Sequence, residues 1–519
     1  MKKSFLALPL FALANLITPA LSHAATWDGG GTNSNWSTAN NWNPNGAPAP
    51  GVALTFPGSA AKLSNNNDFP DLTGFQSLVF TAANYILGGN DIQLSNGILS
   101  GQPSGTNQLE LGVALSQSQS FNVQNAGTFL TDNGDIDLKT FALTFGGEGN
   151  WISNGTILGS GTIVKNGPGF LRLSGNNTFS GGITVNGGSL QVDNGLGSGT
   201  GSGAVVIESG AELQGNGAIL GDVLIQAGAK VSPGGSTPAL LAVGNLTLES
   251  SASYVAQLDG PIPDTDYSVL QVTGTVSLNQ ADLRPAPGGN IQIGDSYKII
   301  DNDSNDAVLG TFQGLAEGET FHLVGIDDIG FTITYKGGDG NDVVLTAVPT
   351  ATVGDVTVSE PASGKATAIF TVTLNAASDK TVTIKYATAP GTALAGQDYE
   401  VANGTLTFSP GVTQQTVAVT IDSDTVDEAD ETFSLKIFTP TNASIVRDTA
   451  TGTITPPGSS SGNNNGGNGS GNSFPPPVAA DGGGCSLSLA NSPSASFGAG
   501  FFLLGLVALG FRFGQSPRE

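Results

Sequence analysis

The segments ITVNGGSLQV (183–192), VVIESGAELQGN (205–216), VLIQAGAKVSPG (223–234) and LTLESSASYVAQ (246–257) restate one theme, with starts 22, 18 and 23 residues apart. Each reads as a short alternating strand, a polar or glycine turn, and a second short strand. A β-rich period near 20 residues is the pattern of a solenoid whose turns stack on one another. Stacking predicts an inward apolar column of Ile183, Val185, Val205, Ile207, Val223, Ile225, Leu246 and Leu248. Asn186, Gly187, Gly188, Ser209 and Gly210 then fall at corners, where positive φ is easiest for glycine and asparagine. The theme extends over about 151–283.

Composition supports this reading and excludes several chemistries. The chain has 519 residues, 75 of them glycine, a formal charge of −25 and only 11% charged residues. Without a basic patch to displace counterions from phosphates, nucleic acid is not an expected partner. Residues 1–24 carry Lys2, Lys3, an apolar run and Ser22-His23-Ala24, which reads as a secretory signal cleaved after Ala24. The remaining chain then keeps one histidine, His322, and one cysteine, Cys485. No intrachain disulfide is possible, and histidine–cysteine zinc sites and Ser-His or Cys-His catalysis lose most of their material.

The stretch GSGTIVKNGPGFLRLSGNNTFSGGITVNGGSLQV (159–192) resembles the autotransporter-associated β-strand repeat. TWDGGGTNSNWSTANNWNP, from Thr26, and VSPGGSTPALLAVGNLTLESSASYVAQLDG, ending at Gly260, are similar to other parts of such passenger regions. The resemblance covers roughly 25–348. It implies a right-handed parallel β-helix at a bacterial surface. Autotransporters end in a membrane β-barrel of alternating strands. No such segment is found here, so delivery by another route is expected.

GGDGNDVVL (337–345) matches a calcium-binding nonapeptide once. A single copy lacks a neighbouring turn to share the ion, so Asp339 and Asp342 are expected in a turn before a final strand. An enzymatic alternative is a β-helix polysaccharide lyase or hydrolase using Asp132, Asp135 or Asp137 of TDNGDIDL, since paired carboxylates can cleave glycosidic bonds. Arg172 is the lone arginine between residues 25 and 283, which leaves such a site poorly equipped.

Residues 351–455 change to strong period-2 alternation, as in Phe370, Val372 and Leu374. Seven strands are expected, at 352–359, 366–374, 381–388, 404–409, 415–421, 432–438 and 449–454, giving an immunoglobulin-like sandwich. Six acids fall within IDSDTVDEADETF (421–433). If strand direction alternates, Glu360, Asp398, Asp422, Asp424, Glu428 and Glu431 gather at one pole, as oxygen ligands of a hard cation must. VTVSE (356–360), FTVTL (370–374), TAPGTALAGQDYE (388–400), GTLTF (404–408) and DEADETF (427–433) resemble a Calx-β domain. That resemblance implies Ca²⁺ ligands at Glu360, Asp398, Asp424, Glu428 and Glu431, with Asp422 in reserve and Asp427 and Asp430 facing solvent. Ser423 stands where calcium-rich members have an aspartate, and Thr455-Pro456-Pro457 follows the last strand. Both departures imply one weakly held ion.

Residues 456–484 read as a disordered spacer. Gly483, Gly484 and Cys485, the apolar run 497–511 and the terminal Arg512 and Arg518 resemble a Gram-negative C-terminal sorting signal. It implies a membrane contact through this segment and a processing protease, with Cys485 as the processing or lipid-anchoring position. The expected architecture is therefore all-β: a parallel β-helix (25–348), an immunoglobulin-like sandwich (351–455), a linker (456–484) and a C-terminal apolar helix within 485–519. The expected function is non-catalytic adhesion or surface architecture, with a glycan or other cell-surface ligand. A third reading is a purely structural stalk.

Overall fold

A computed structural model describes residues 24–303, 306–323, 326–424 and 429–457. The architecture is all-β, a parallel β-helix followed by a β-sandwich. Each early turn of the helix places one short strand in each of three sheets. The strands Ile98–Ser100, Gly105–Leu109 and Val113–Leu115 occupy the three faces, and Gln119–Val123 returns to the first. The first face grows to 13 strands and the second to 11.

Inward stacking follows the sequence period. Ile183, Val205, Val223 and Leu246 pair in register, as do Val185, Ile207, Ile225 and Leu248. All eight are buried. Because the side-chain period of a strand is two, a one-residue slip would turn this column outward, so burial fixes the register. Gly188 shows what the corners require. Its φ is +67°, and a Cβ there would lie 2.2 Å from the Gly169 carbonyl oxygen of the previous turn. A side chain would push the two turns apart.

The coil extends well before the legible repeats, back to the strand Leu54–Phe56. It is closed at that end by aromatic packing. Trp27, Trp36 and Trp42 are fully buried, and Trp36 and Trp42 meet edge-on at 6.1 Å. The short strand Trp42–Asn43 runs antiparallel to Ala25–Trp27, covering the sheet edge.

At the other end the direction changes. Ser296–Asn302 pairs antiparallel with Asp342–Val348, which also forms a hairpin with Ile326–Gly337. The glycine-rich nonapeptide is the turn of that hairpin. Asp342 is buried there, accepting a 2.9 Å hydrogen bond from the Asn302 amide. It serves as a turn and strand-start residue, as its single occurrence suggests.

The sandwich comprises β1 (Thr350–Val353), β2 (Val356–Ser359), β3 (Lys365–Leu374), β4 (Val382–Pro390), β5 (Asn403–Phe408), β6 (Gln414–Asp422), β7 (Glu431–Thr441), β8 (Ser444–Arg447) and β9 (Thr449–Thr455). One sheet has the order β6-β3-β1-β8 and the other β2-β9-β7-β4-β5. Phe370, Val372, Ile384, Val419, Phe433 and Leu435 lie between them with no more than 2% exposure. The expected strand 352–359 is in fact two. β1 pairs antiparallel with β3, and β2 pairs parallel with β9 in the opposite sheet. The chain changes sheets at Gly354-Asp355, where Asp355 accepts from Arg447 and, at 2.7 Å, from the Thr451 amide. β8 was also unexpected. Positive φ at Thr439, near the end of β7, and at Asn442, just beyond it, turns the chain and lets 444–447 join the other sheet.

Candidate functional site

The acids of the sandwich are positioned by strand ends. β2 delivers Glu360, whose amide donates to the Thr455 carbonyl at 2.9 Å and so ties it to the end of β9. Asp398 closes the turn 394–398, with its Oδ2 accepting from the Leu394 amide at 2.7 Å. The Asp398 carbonyl in turn accepts from the Asp422 amide at 3.0 Å. Asp422 ends β6, and Glu431 opens β7 opposite Ile454 of β9. Glu360, Asp398, Asp422 and Glu431 line one small cavity with Ala429, Thr455 and Pro456. Below it, Tyr399 stacks on Phe433 at 4.5 Å, giving the loop a rigid floor.

The geometry ranks the two nearby aspartates differently from the sequence. Asp422, held in reserve there, lines the cavity. Asp424 contributes its amide, which donates to Glu360 Oε1 at 2.8 Å, while the residue itself is exposed. Asp430 is exposed, as expected. Glu428 and Asp427 lie outside the described residues. Among the described residues, no three acids converge closely enough to hold a metal ion as they stand. The hydrogen bonds explain the spread. The Leu394 amide engages Asp398, the Asp424 amide engages Glu360, and a lysine engages Asp422.

That lysine, Lys365, is the functional residue that sequence reasoning missed. It opens β3 directly opposite Asp422 in the ladder. Its Nζ lies 3.0 Å from Asp422 Oδ1 and also pairs with Glu400. Hydrogen bonds to Glu400 and Asp422 raise the Lys365 pKa, and the lysine lowers that of Glu400. The signal was present in Gly364-Lys365, but it becomes readable only once 365 is paired with 422.

The enzymatic trio does not assemble. Asp132 points into the β-helix, accepting from Trp151 Nε1 at 3.2 Å and Ser153 Oγ at 3.4 Å. Burial pushes its carboxyl up to about 7. Asp135 caps the Thr156 amide at 2.9 Å, and Asp137 pairs with Lys139 beside a shallow groove on the five-stranded face. Asp132 is thus separated from the other two, while Asp135 and Asp137 line the same groove.

These placements can be set against known proteins. Residues 350–457 match the Calx-beta domain. Residues 163–192 match the passenger-associated-transport-repeat. Seventy-nine residues are 40% identical to the adhesin BmaC autotransporter of Brucella suis biovar 1 (strain 1330), covering 15% of this chain and 2% of that protein. Fifty-three residues are 47% identical to sodium/calcium exchanger 1 of Canis lupus familiaris, covering 10% of this chain and 6% of that one. The chain thus spans a few per cent of the length of these relatives. Among solved structures, the apo-form Calx CBD1 domain is 27% identical, with 21% of this chain and 97% of that chain covered and a TM-score of 0.19.

Ala24 is exposed, directly before the first strand at Ala25. Gly483, Gly484, Cys485 and the C-terminal apolar run lie outside the described residues. Among the described residues, no helix is long and apolar enough to cross a membrane.

Proposed function

We propose that this is a surface-exposed, non-catalytic adhesion-type protein whose Calx-beta segment binds one Ca²⁺ weakly. The observation that carries the calcium reading is the cavity shared by Glu360, Asp398, Asp422 and Glu431, which arrive from three strand ends and the 394–398 turn. Hard cations need several oxygens at one point, and these four carboxylates are donors of that kind. Similarity to an autotransporter adhesin and to a passenger repeat supports the surface role.

Calorimetric titration of the exported chain with millimolar Ca²⁺ is expected to give saturable heat with one ion and a dissociation constant of roughly 10⁻⁴–10⁻³ M. Absence of heat, together with an unchanged melting temperature, would remove calcium from the reading.

Lys365 supplies a second prediction. Its ammonium already neutralises Asp422, so Ca²⁺ must displace it or bind beside it. Lys365→Met is expected to tighten Ca²⁺ binding roughly three- to tenfold, a modest change because the pair is exposed. Equal affinity in wild type and variant would show that the lysine does not compete with the ion.

A further inference from the structure

The second face of the β-helix carries a neutral stripe on a strongly acidic protein. In the 11-stranded sheet, the outward residues Gln108, Thr131, Ile152, Arg172, Gln191 and Gln214 stand in register on six successive strands. At about 4.8 Å per strand this column runs roughly 24 Å. All six are half-exposed. One step along the strands, Phe129 pairs with Asn150, and Asn150 Oδ1 accepts from the Phe170 amide at 3.1 Å. The Phe129 and Phe170 rings approach to 6.1 Å across the intervening strand and remain half-exposed. The result is a two-ring apolar platform flanked by amides and hydroxyls.

Charge on this face is cancelled locally. Arg172 Nε lies 2.8 Å from Asp193, which also accepts from Gln191 at 2.7 Å. Farther along, Lys230 Nζ lies 2.9 Å from Glu212. The whole chain nevertheless carries −25. An anionic polymer would meet that field without a free cation to hold it. A cation would find the carboxylates beside the column, Asp193 and Glu212, already paired with Arg172 and Lys230. What complements the stripe is a long, uncharged, hydroxyl-rich ligand with apolar C–H faces.

We propose that this face binds a neutral polysaccharide, with pyranose C–H faces on Phe129 and Phe170 and ring hydroxyls on Asn150 and on Gln108, Thr131, Gln191 and Gln214 of the column. A pyranose chain repeats on a length comparable to the strand spacing, so successive sugars meet equivalent positions. Weak contacts then add along the stripe, because each further subsite binds at high effective concentration. Aromatic rings supply contact area at little conformational cost, and side-chain amides both donate and accept. The inference rests on the adhesion reading and names its ligand class and location.

Affinity electrophoresis of the exported chain through gels containing dextran, mannan or a neutral galactan tests it, alongside adhesion of the same chain to cells. Retardation by at least one neutral polymer is expected, reduced at least fivefold in the Phe129→Ala/Phe170→Ala double variant. The solvent-facing Thr131→Glu variant, which spares the rings, is expected to weaken retardation similarly with an unchanged melting temperature. Cell adhesion without retardation by any neutral polymer, or retardation that both variants leave intact, overturns the polysaccharide site and leaves the adhesion reading standing. Preferential retardation by alginate also overturns it, as does a dimer that the same substitutions disrupt. Binding to neither cells nor polymers removes both the site and the adhesion reading.

Discussion

Replacing Trp36 with alanine is expected to destabilise the β-helix by about 3–5 kcal/mol, the range for deleting a fully buried large aromatic. Trp36 is fully buried and packs edge-on against Trp42 and, at 5.7 Å, against Phe75. Its Nε1 donates to Asn65 Oδ1 at 2.7 Å inside the core. The substitution therefore opens a cavity and strands a buried acceptor together. The loss has a direction. A solenoid turn is stabilised by its neighbours, so removing the cover exposes the first turn and then the next. Hydrogen exchange should show the strands Leu54–Phe56 and Leu78–Phe80 losing protection while Val205–Ile207 keeps it. Uniform protection with an unchanged melting temperature would mean that the tryptophan cluster is not the cap.

Asp132→Asn is expected to act in the opposite sense, and only where the carboxyl would ionise. The folded-state pKa of Asp132 is raised from 3.8 to about 7, chiefly by burial. An acid with a raised folded pKa binds more protons folded than unfolded, so its contribution to stability falls as pH rises from about 4 to about 7. Above that window the fold carries the full cost, about 4 kcal/mol for a difference near three pH units. Asparagine keeps the shape and an oxygen for Trp151 Nε1, and it does not ionise. Wild type and variant should be of similar stability near pH 4, and the variant should exceed wild type by that amount at pH 8. Denaturation at the two pH values decides. Equal stability at pH 8 would mean that Asp132 is not desolvated.

Asp132 and Lys165 also mark where the sequence stops being readable. The inward column around Ile183 and Val205 was legible because burial enforces period two over several turns. Lys165 sits at the same inward register, opposite Phe145 and Val185, in a position that periodicity assigns to an apolar residue. It is buried, and its Nζ donates to the carbonyls of Asn166, Gly167 and Gly187 at 3.0, 2.9 and 3.2 Å. The corner offers unpaired carbonyls, and a long side chain can reach them from inside, a solution that depends on the turn geometry. Asp132 was grouped with Asp135 and Asp137 as a candidate catalytic acid for the converse reason: the donors that hold it inside, Trp151 and Ser153, come from the next turn. In the sandwich, alternation identified most strands but not the sheet change at Gly354-Asp355, because both halves alternate. The gathering of Glu360, Asp398 and Glu431 was legible from strand direction. The ranking of Asp422 over Asp424 was not, since it depends on local hydrogen bonds at the end of β6.

The sheet change has a mechanical consequence. It sets β2 parallel to the final strand β9, pairing Val356 with Gly452, Thr357 with Thr453, Val358 with Ile454 and Ser359 with Thr455. The chain reaches β2 from β1, which is held by β3 and β8 in the other sheet, and β9 ends at Thr455. Tension between the start of β2 and the end of β9 slides the two along each other, so their rungs are loaded in shear and must rupture together. An antiparallel pair pulled from one end would unzip one rung at a time. The Glu360–Thr455 hydrogen bond adds a further tie beyond the last rung. Resistance to pulling is governed by the unfolding rate and not by equilibrium stability. A single two-residue crossover thus sets the pair in a shear geometry.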